Sequence, residues 1–152
     1  MFLEIKNTTI GYQKPLISEV NASLDFGDVC LLIGNNGVGK TTLIKSILHQ
    51  ISTLNGEILI HQKNIEKLTD KEIAEQIAVV FSKAQIPANY TTEDLISLGK
   101  FIHLPYYYQL EKEDLEDVNN IISQLKLEEY RTTSLQKLSD GNLQKAFIGR
   151  AL

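Results

Sequence analysis

The feature that most constrains the fold is a glycine-rich run at residues 34–42. It contains a glycine, four residues, a second glycine, a lysine and a threonine, in that order. The apolar residues 29–33 come directly before it and predict a buried strand. Leu43, Ile44, Ile47, Leu48 and Ile51 follow at helical spacing, and they predict a helix over about 40–50. Strand, loop and helix in this order predict an α/β fold and a phosphate site.

The pattern has a physical basis in phosphate binding. Its glycines let the backbone turn so that successive N–H groups point at an anion, in part at positive φ. The amino end of the helix adds partial positive charge, and the Lys40 ammonium is expected to reach the β- and γ-phosphates of a nucleoside triphosphate. Thr41 is predicted to bind Mg²⁺ through its hydroxyl. The alternative is a glycine-rich turn with a solvated lysine. The candidate site residues are Gly34, Asn35, Asn36, Gly37, Val38, Gly39, Lys40, Thr41 and Thr42.

Shorter patterns predict the elements around the loop. Leu3 and Ile5 alternate with their neighbours and predict a first strand. Residues 56–60 and 77–81 predict two more strands. A second strand after the first is predicted by period-two spacing of Val20, Ala22, Leu24 and Phe26. The chain therefore begins with a β-rich part.

Helices dominate the remainder of the chain. Two capping-box pairs, Thr69 with Glu72 and Thr91 with Asp94, are predicted to open helices. A further helix is predicted by the stripe Leu115, Val118, Ile122 and Leu125, and a final one after Ser139. We predict three parts: a β part and glycine-loop core at 1–90, a helical subdomain at 91–137, and the start of a last helix at 138–152.

Composition narrows the range of functions. The formal net charge of −4 provides no overall positive field, so we expect no nucleic-acid partner. Cys30 lies in the apolar run and is predicted to be a buried, reduced thiol, which favours a reducing compartment. The amino terminus lacks the pattern of a signal peptide, and no apolar run approaches the roughly 18 to 20 residues that span a bilayer. We expect a cytoplasmic location.

Two further segments give the chain a family resemblance. Gly11-Tyr12 lies before the glycine loop, and Leu-Ser-Asp-Gly-Asn-Leu-Gln-Lys follows it at residues 138–145. With the loop between them, these segments resemble the ATP-binding cassette (ABC) ATPases over essentially the whole chain. The resemblance implies an α/β P-loop core with an N-terminal antiparallel β part and a helical subdomain, incomplete at the carboxyl end. It also implies that Tyr12 stacks on adenine, the alternative being a surface tyrosine in a turn.

The segment at 138–145 resembles the family signature, usually written Leu-Ser-Gly-Gly-Gln. Ser139 and Gly141 match this signature, whereas Asp140 and Asn142 depart from it. The resemblance implies that these residues bind the γ-phosphate held by a second subunit in a head-to-tail dimer. The Asp140 carboxylate weakens that contact unless it points away. The alternative is an ordinary helix cap at Ser139.

Other family elements are altered or missing. The resemblance places a glutamine that contacts Mg²⁺ at Ser82, and Gln85 is the alternative if the loop bends. Family members continue past Leu152 with a strand that supplies the general base and with a histidine that contacts the γ-phosphate. We therefore expect the 152 residues alone to bind nucleotide without efficient hydrolysis.

The resemblance implies an ATP-binding subunit of an importer, for iron–siderophore complexes or vitamin B12-like cargo. Its partners would be a second ATPase subunit and membrane permease subunits, and its location the inner face of the plasma membrane. ATP and Mg²⁺ are the implied cofactors. The alternatives are a non-transport ABC ATPase and a nucleotide-binding but catalytically dead fragment.

Overall fold

A computed structural model describes residues 1–81, 89–103 and 109–152, except for the side chains of 102 and 103. The chain divides into two compact units, Met1–Ile77 and Ala78–Leu152. The three-part division at residues 90 and 137 stays a prediction. Among the described residues, the helices are all too short or too polar to cross a bilayer.

The first unit contains a four-stranded antiparallel sheet. Its strands are β1 (Leu3–Gly11), β2 (Pro15–Leu24), β3 (Asn55–Ile60) and β4 (Lys63–Asn64), in the spatial order β2-β1-β3-β4. Leu3 pairs with Leu24 on one side and with Ile60 on the other, so β1 is central. The predicted β-rich beginning and the strand at 56–60 are confirmed.

One face of this sheet forms the core of the first unit. Leu3, Ile5, Ile58 and Ile60 are buried together, as residues spaced by two on neighbouring strands should be. Helix α1 (Lys40–Ile47) adds Leu43 and Ile47 to this core, and Ile73 of α2 (Asp70–Ala74) is buried in it. The predicted apolar face of α1 is wrong at one position, because Ile44 is 46% exposed.

Only some of the residues in the predicted period-two pattern of β2 are partly buried. Val20 and Leu24 pack against the core, but Ala22 is exposed and Phe26 lies beyond the strand with 75% of its surface exposed. β2 has a neighbour on one side only. An edge strand of this kind covers fewer of its side chains than a central strand does.

The strand predicted at residues 29–33 is wrong. These residues form no strand, and Val29, Leu31 and Ile33 are 97%, 79% and 79% exposed. A buried strand needs partners for its N–H and C=O groups, and no strand within the described ranges pairs with this segment. For the same reason Cys30 is exposed, which corrects the prediction of a buried thiol.

The strand predicted at 77–81 is wrong in the same way. Ile77 packs against the first core, but Val80 and Phe81 are 41% and 55% exposed and belong to no strand. The described part of the chain offers this segment no hydrogen-bonded neighbour. An apolar run therefore indicates a buried strand only when another strand lies beside it.

Helix α1 is shorter than the predicted 40–50. It ends at Ile47, and Leu48 is its C-cap. His49 follows with φ 54°, which turns the chain so that the Gln50 N–H donates to the Lys45 carbonyl at 2.8 Å. This is the closure in which a left-handed residue satisfies the last carbonyls of a helix.

The second unit is helical. It contains α3 (Thr92–Ser97), α4 (Lys112–Gln124) and α5 (Asp140–Ala151). Short 3₁₀ turns are Ile65–Lys67 in the first unit and Lys100–His103, Glu128–Tyr130 and Leu135–Lys137 in the second. The core of the second unit contains Leu95, Ile96, Val118, Ile121, Ile122, Leu127, Leu135, Ala146 and Phe147. The helix predicted to open after Thr91 is confirmed as α3.

Candidate phosphate-binding site

The glycine loop is shaped by two residues in the left-handed region. Gly37 has φ 83° and Gly39 has φ 103°, values that suit glycine and strain other residues. The Val38 N–H donates to the Asn35 carbonyl at 3.4 Å, and the Gly39 carbonyl accepts the first helical bond of α1, from Leu43 at 2.8 Å. Residues 34–38 are exposed, so the curved backbone is open to a ligand.

The side chain of Lys40 closes this curve. Its Nζ donates to the carbonyl oxygens of Gly34 at 2.6 Å and of Asn35 at 2.8 Å. The ammonium therefore lies beside the backbone of the loop, at the amino end of α1. A positive side chain, a helix amino terminus and an open glycine backbone together suit a multiply charged phosphate anion.

Gly39 packs closely against the sheet. A Cβ built on this glycine would be 2.7 Å from Cδ1 of Ile17 and 3.0 Å from Cδ2 of Leu16. Both residues belong to β2, so the first hairpin of the sheet packs against the base of the loop. Sequence reasoning missed these two residues, although the apolar pair directly after Pro15 was the available signal.

The two threonines after Lys40 face different surroundings. Thr41 is exposed and its hydroxyl is open to an ion, whereas Thr42 is 7% exposed on the sheet side of α1. Within residues 1–81, 89–103 and 109–152, no group of three or more His, Cys, Asp or Glu is arranged to hold a metal.

Tyr12 is at the end of the same hairpin. It follows β1 in a tight turn in which Gly11 pairs with Pro15, and a Cβ on Gly11 would be 2.0 Å from the Lys14 carbonyl oxygen. The tyrosine is 65% exposed, so its ring is free to stack on a planar ligand. Leu16 places this end of the hairpin next to Gly39.

The signature residues lie in the second unit, at the amino end of α5. Ser139 is the N-cap, and its Oγ accepts from the Asn142 N–H at 3.3 Å. Asp140 is exposed in the first turn, and Gly141 has no atom within 4 Å of the place where a Cβ would stand. The first turn of α5 is thus accessible from outside the chain.

The carboxyl end of α5 packs against neighbouring elements of the second unit. A Cβ on Gly149 would be 2.9 Å from Leu125 Cδ1 and 3.0 Å from Ile96 Cδ1, so α5 packs closely against its neighbours here. Ser82 and Gln85, the alternatives for the Mg²⁺-contacting position, lie outside the described residues.

A glycine loop that curves around the lysine of the following helix, beside a β-sheet, defines the class of P-loop nucleotide-binding proteins. Within that class, the family model described as ABC transporter matches residues 17–152. The chain belongs to the ABC transporter family. The resemblance stated from the sequence is confirmed, and so is the fold class.

Curated relatives include two petrobactin import ATP-binding proteins. FpuD of Bacillus anthracis is 30% identical over 151 residues, which cover 99% of this chain and 55% of the relative. YclP of Bacillus subtilis is 32% identical over 152 residues, 99% of this chain and 59% of the relative. The chain thus spans little more than half the length of these relatives.

A solved structure shares the fold. CbiO1 of Clostridium perfringens, described as part of the ABC transporter complex cbiONQ, superposes with a TM-score of 0.86 and 22% identity. The match covers 99% of this chain and 61% of that structure. At this level of identity the likeness shows the fold alone.

Proposed function

We propose that the chain is the nucleotide-binding part of an ATP-binding subunit of an ABC importer. The observation that carries this proposal is the Lys40 ammonium, held at 2.6 and 2.8 Å from two carbonyls of an exposed glycine loop at a helix amino terminus. Positive charge, exposed backbone N–H groups and an open approach at one place suit the phosphates of a nucleotide.

In this proposal the glycine loop, Lys40, Thr41 and Tyr12 contact different parts of MgATP. The N–H groups of residues 34–40 bind the phosphates, and Lys40 binds the β- and γ-phosphate oxygens. Thr41 is a Mg²⁺ ligand, and the exposed ring of Tyr12 stacks on adenine. The bound ion neutralises phosphate charge.

The α5 amino terminus serves a second subunit. Ser139 and Gly141 are accessible at a helix start, where a hydroxyl and N–H groups suit the γ-phosphate held by another copy. Two copies in head-to-tail order would then share two ATP molecules. Asp140 brings a carboxylate to the same turn, and we propose that Asp140 weakens this contact.

We propose that nucleotide binding is coupled to uptake, and the family and its relatives support this. ATP binding would bring two cassettes together and move permease subunits at the inner face of the plasma membrane, and hydrolysis would reset them. The names of FpuD and YclP support an iron–siderophore cargo. The 152 residues by themselves are proposed to bind MgATP without efficient turnover, because none of them matches the base or histidine of the family.

Calorimetric titration with MgATP tests the nucleotide site. Lys40→Ala should weaken binding roughly 10- to 100-fold, because hydrogen bonds to charged groups contribute about 1.5–3 kcal/mol. Lys45→Ala is the matched control, since it removes a positive charge from the same helix away from the loop. Equal affinity of the wild type and Lys40→Ala would refute the site assignment.

The importer role needs a separate test. Affinity purification of the tagged chain from its own cells should retain a membrane permease. Retention of ribosomal or other soluble assemblies instead would favour the alternative of a non-transport ABC ATPase.

A further inference from the structure

We propose that Ile17 is a positioning residue for the phosphate loop, acting through Gly39. The sheet packs against the loop at this pair, where Ile17 Cδ1 and Cγ1 lie 2.7 and 2.9 Å from the position that a Cβ on Gly39 would occupy. The proposal rests on the proposed nucleotide site and extends it to a residue that contacts neither nucleotide nor ion.

Gly39 is the residue through which such a contact acts on the ligand. It is the N-cap of α1, it has φ 103°, and it joins the N–H groups of the loop to Lys40. Its carbonyl also accepts the first helical bond, from Leu43 at 2.8 Å. A small shift of Gly39 therefore moves the phosphate-facing N–H groups and the origin of the Lys40 side chain together.

Ile17 is supported by the central strand of the sheet. It is half-buried on β2 and pairs with Ile10 of the central strand β1, which is 0% exposed. Leu16 Cδ2 is 3.0 Å from the same Cβ position, but Leu16 is 48% exposed, so it has fewer neighbours to hold it. The sheet thus packs the Ile17 side chain, supported by β1, against a glycine that has no side chain of its own.

The packing limits how far the loop can relax. Gly39 lacks a Cβ, so its own conformational preferences do not keep it at φ 103°. Without Ile17 Cγ1 and Cδ1 beside it, other φ values become accessible to this residue. The loop would then have to be ordered on binding, which lowers affinity. Adenine stacking on Tyr12 does not involve this contact.

The test compares nucleotides in calorimetric titrations of the whole chain. Ile17→Ala should weaken MgATP binding roughly tenfold while AMP binding changes less than about twofold, so the preference for the triphosphate falls. Ile17→Val keeps Cγ1 but loses Cδ1, so it should show a fall in the same direction that is smaller than that of Ile17→Ala. Val20→Ala is the control, because Val20 packs against the core from the same strand.

The outcomes separate this inference from the proposed site. If the wild type binds no MgATP, the proposed function fails first. If the wild type binds and Lys40→Ala does not, but Ile17→Ala keeps the wild-type preference for ATP over AMP, the positioning role is overturned. An equal loss of preference in Val20→Ala would also overturn it, since general loosening would then suffice. Should Ile17→Ala not fold, Ile17→Val is expected to show a smaller fall, and an unchanged ratio would count against the role.

Discussion

Two consecutive residues of the first unit are held in the left-handed region without being glycine. His61 and Gln62 have φ of 49° and 64° and form the two-residue connection in which Ile60 pairs with Lys63. A turn with positive φ at both central positions favours Asn-Gly, because a Cβ is strained there. The His61 ring contacts Phe2 and Phe26, with centroids 5.2 and 5.5 Å away. Gln62 is therefore the position free to change.

Gln62→Gly should raise the free energy of unfolding by about 0.5–1 kcal/mol, since relief of left-handed strain exceeds the entropy that glycine adds to the unfolded chain. Urea unfolding measures the change. Gln62→Ala retains the Cβ and should give no gain. A gain of the same size in Gln62→Ala would show that the glutamine side chain, rather than the backbone angle, is unfavourable.

At the scale of residues, the site was predictable where its signal is local. The glycine loop, Lys40 and Thr41 follow one another in the chain, so one pattern carries both their identity and their geometry. The contact of Ile17 with Gly39 joins residues far apart in the sequence. Such a contact depends on how the sheet is placed, which no local pattern specifies.

Among the elements, α2 depends strongly on its cap. The Thr69 N–H donates to Glu72 Oε2 at 2.8 Å, and the Glu72 N–H donates to Thr69 Oγ1 at 3.2 Å. These bonds fix a helix of five residues that places Ile73 in the first core. The Thr69 N–H, the Thr69 hydroxyl and the charge of Lys63 lower the pKa of Glu72 below its ordinary value of 4.5.

This lowered pKa predicts the direction of a pH effect. The unfolded chain takes up the Glu72 proton near pH 4.5 and the folded chain only at lower pH, so the stabilisation is present above that value and is lost as pH falls through the folded pKa. Glu72→Gln keeps a capping side chain without the charge. It should lose less stability than the wild type between pH 6 and pH 3, as measured by thermal unfolding.

Glu129→Gln, which changes a glutamate of the second unit, serves as the comparison for Glu72→Gln. If both variants reduce the loss of stability between pH 6 and pH 3 equally, the effect comes from overall charge and not from the capping box.

The elements themselves differ in how much sequence determines them. Capping boxes at Thr69 and Thr91 were predictable because each consists of two residues three positions apart, and both are confirmed. The end of α1 was not predictable from sequence, because His49 rather than a glycine adopts the left-handed conformation there. The strands predicted at 29–33 and 77–81 were wrong because pairing with a distant strand is needed and local hydrophobicity does not report it.

For the molecule as a whole, the important surface is the apolar segment at 29–33. Val29, Leu31 and Ile33 are each at least 79% exposed. An exposed apolar stretch with unpaired backbone groups is a template for pairing with another chain. The 152-residue chain should therefore self-associate in solution and bind hydrophobic dyes.

Leu31→Lys should reduce this self-association, because a charge in an exposed apolar segment with unpaired backbone groups opposes its pairing with another chain. Sedimentation velocity at several concentrations measures it. Ser18→Lys adds the same charge to an exposed position of β2 and should leave the association unchanged. An equal reduction in both variants would trace the effect to net charge, and a monomeric wild type would contradict the prediction.

The hydrogen bonds of Lys40 to Gly34 and Asn35 also determine what the lysine contributes thermodynamically. An arriving triphosphate finds an ammonium that already has two acceptors, so binding exchanges neutral acceptors for charged ones and does not add bonds to a bare cation. The contribution of Lys40 to the binding free energy is therefore only the difference between its interaction with the phosphates and its interaction with the two carbonyls. That difference is electrostatic, and added salt should reduce it more than it reduces the contribution of the backbone amides.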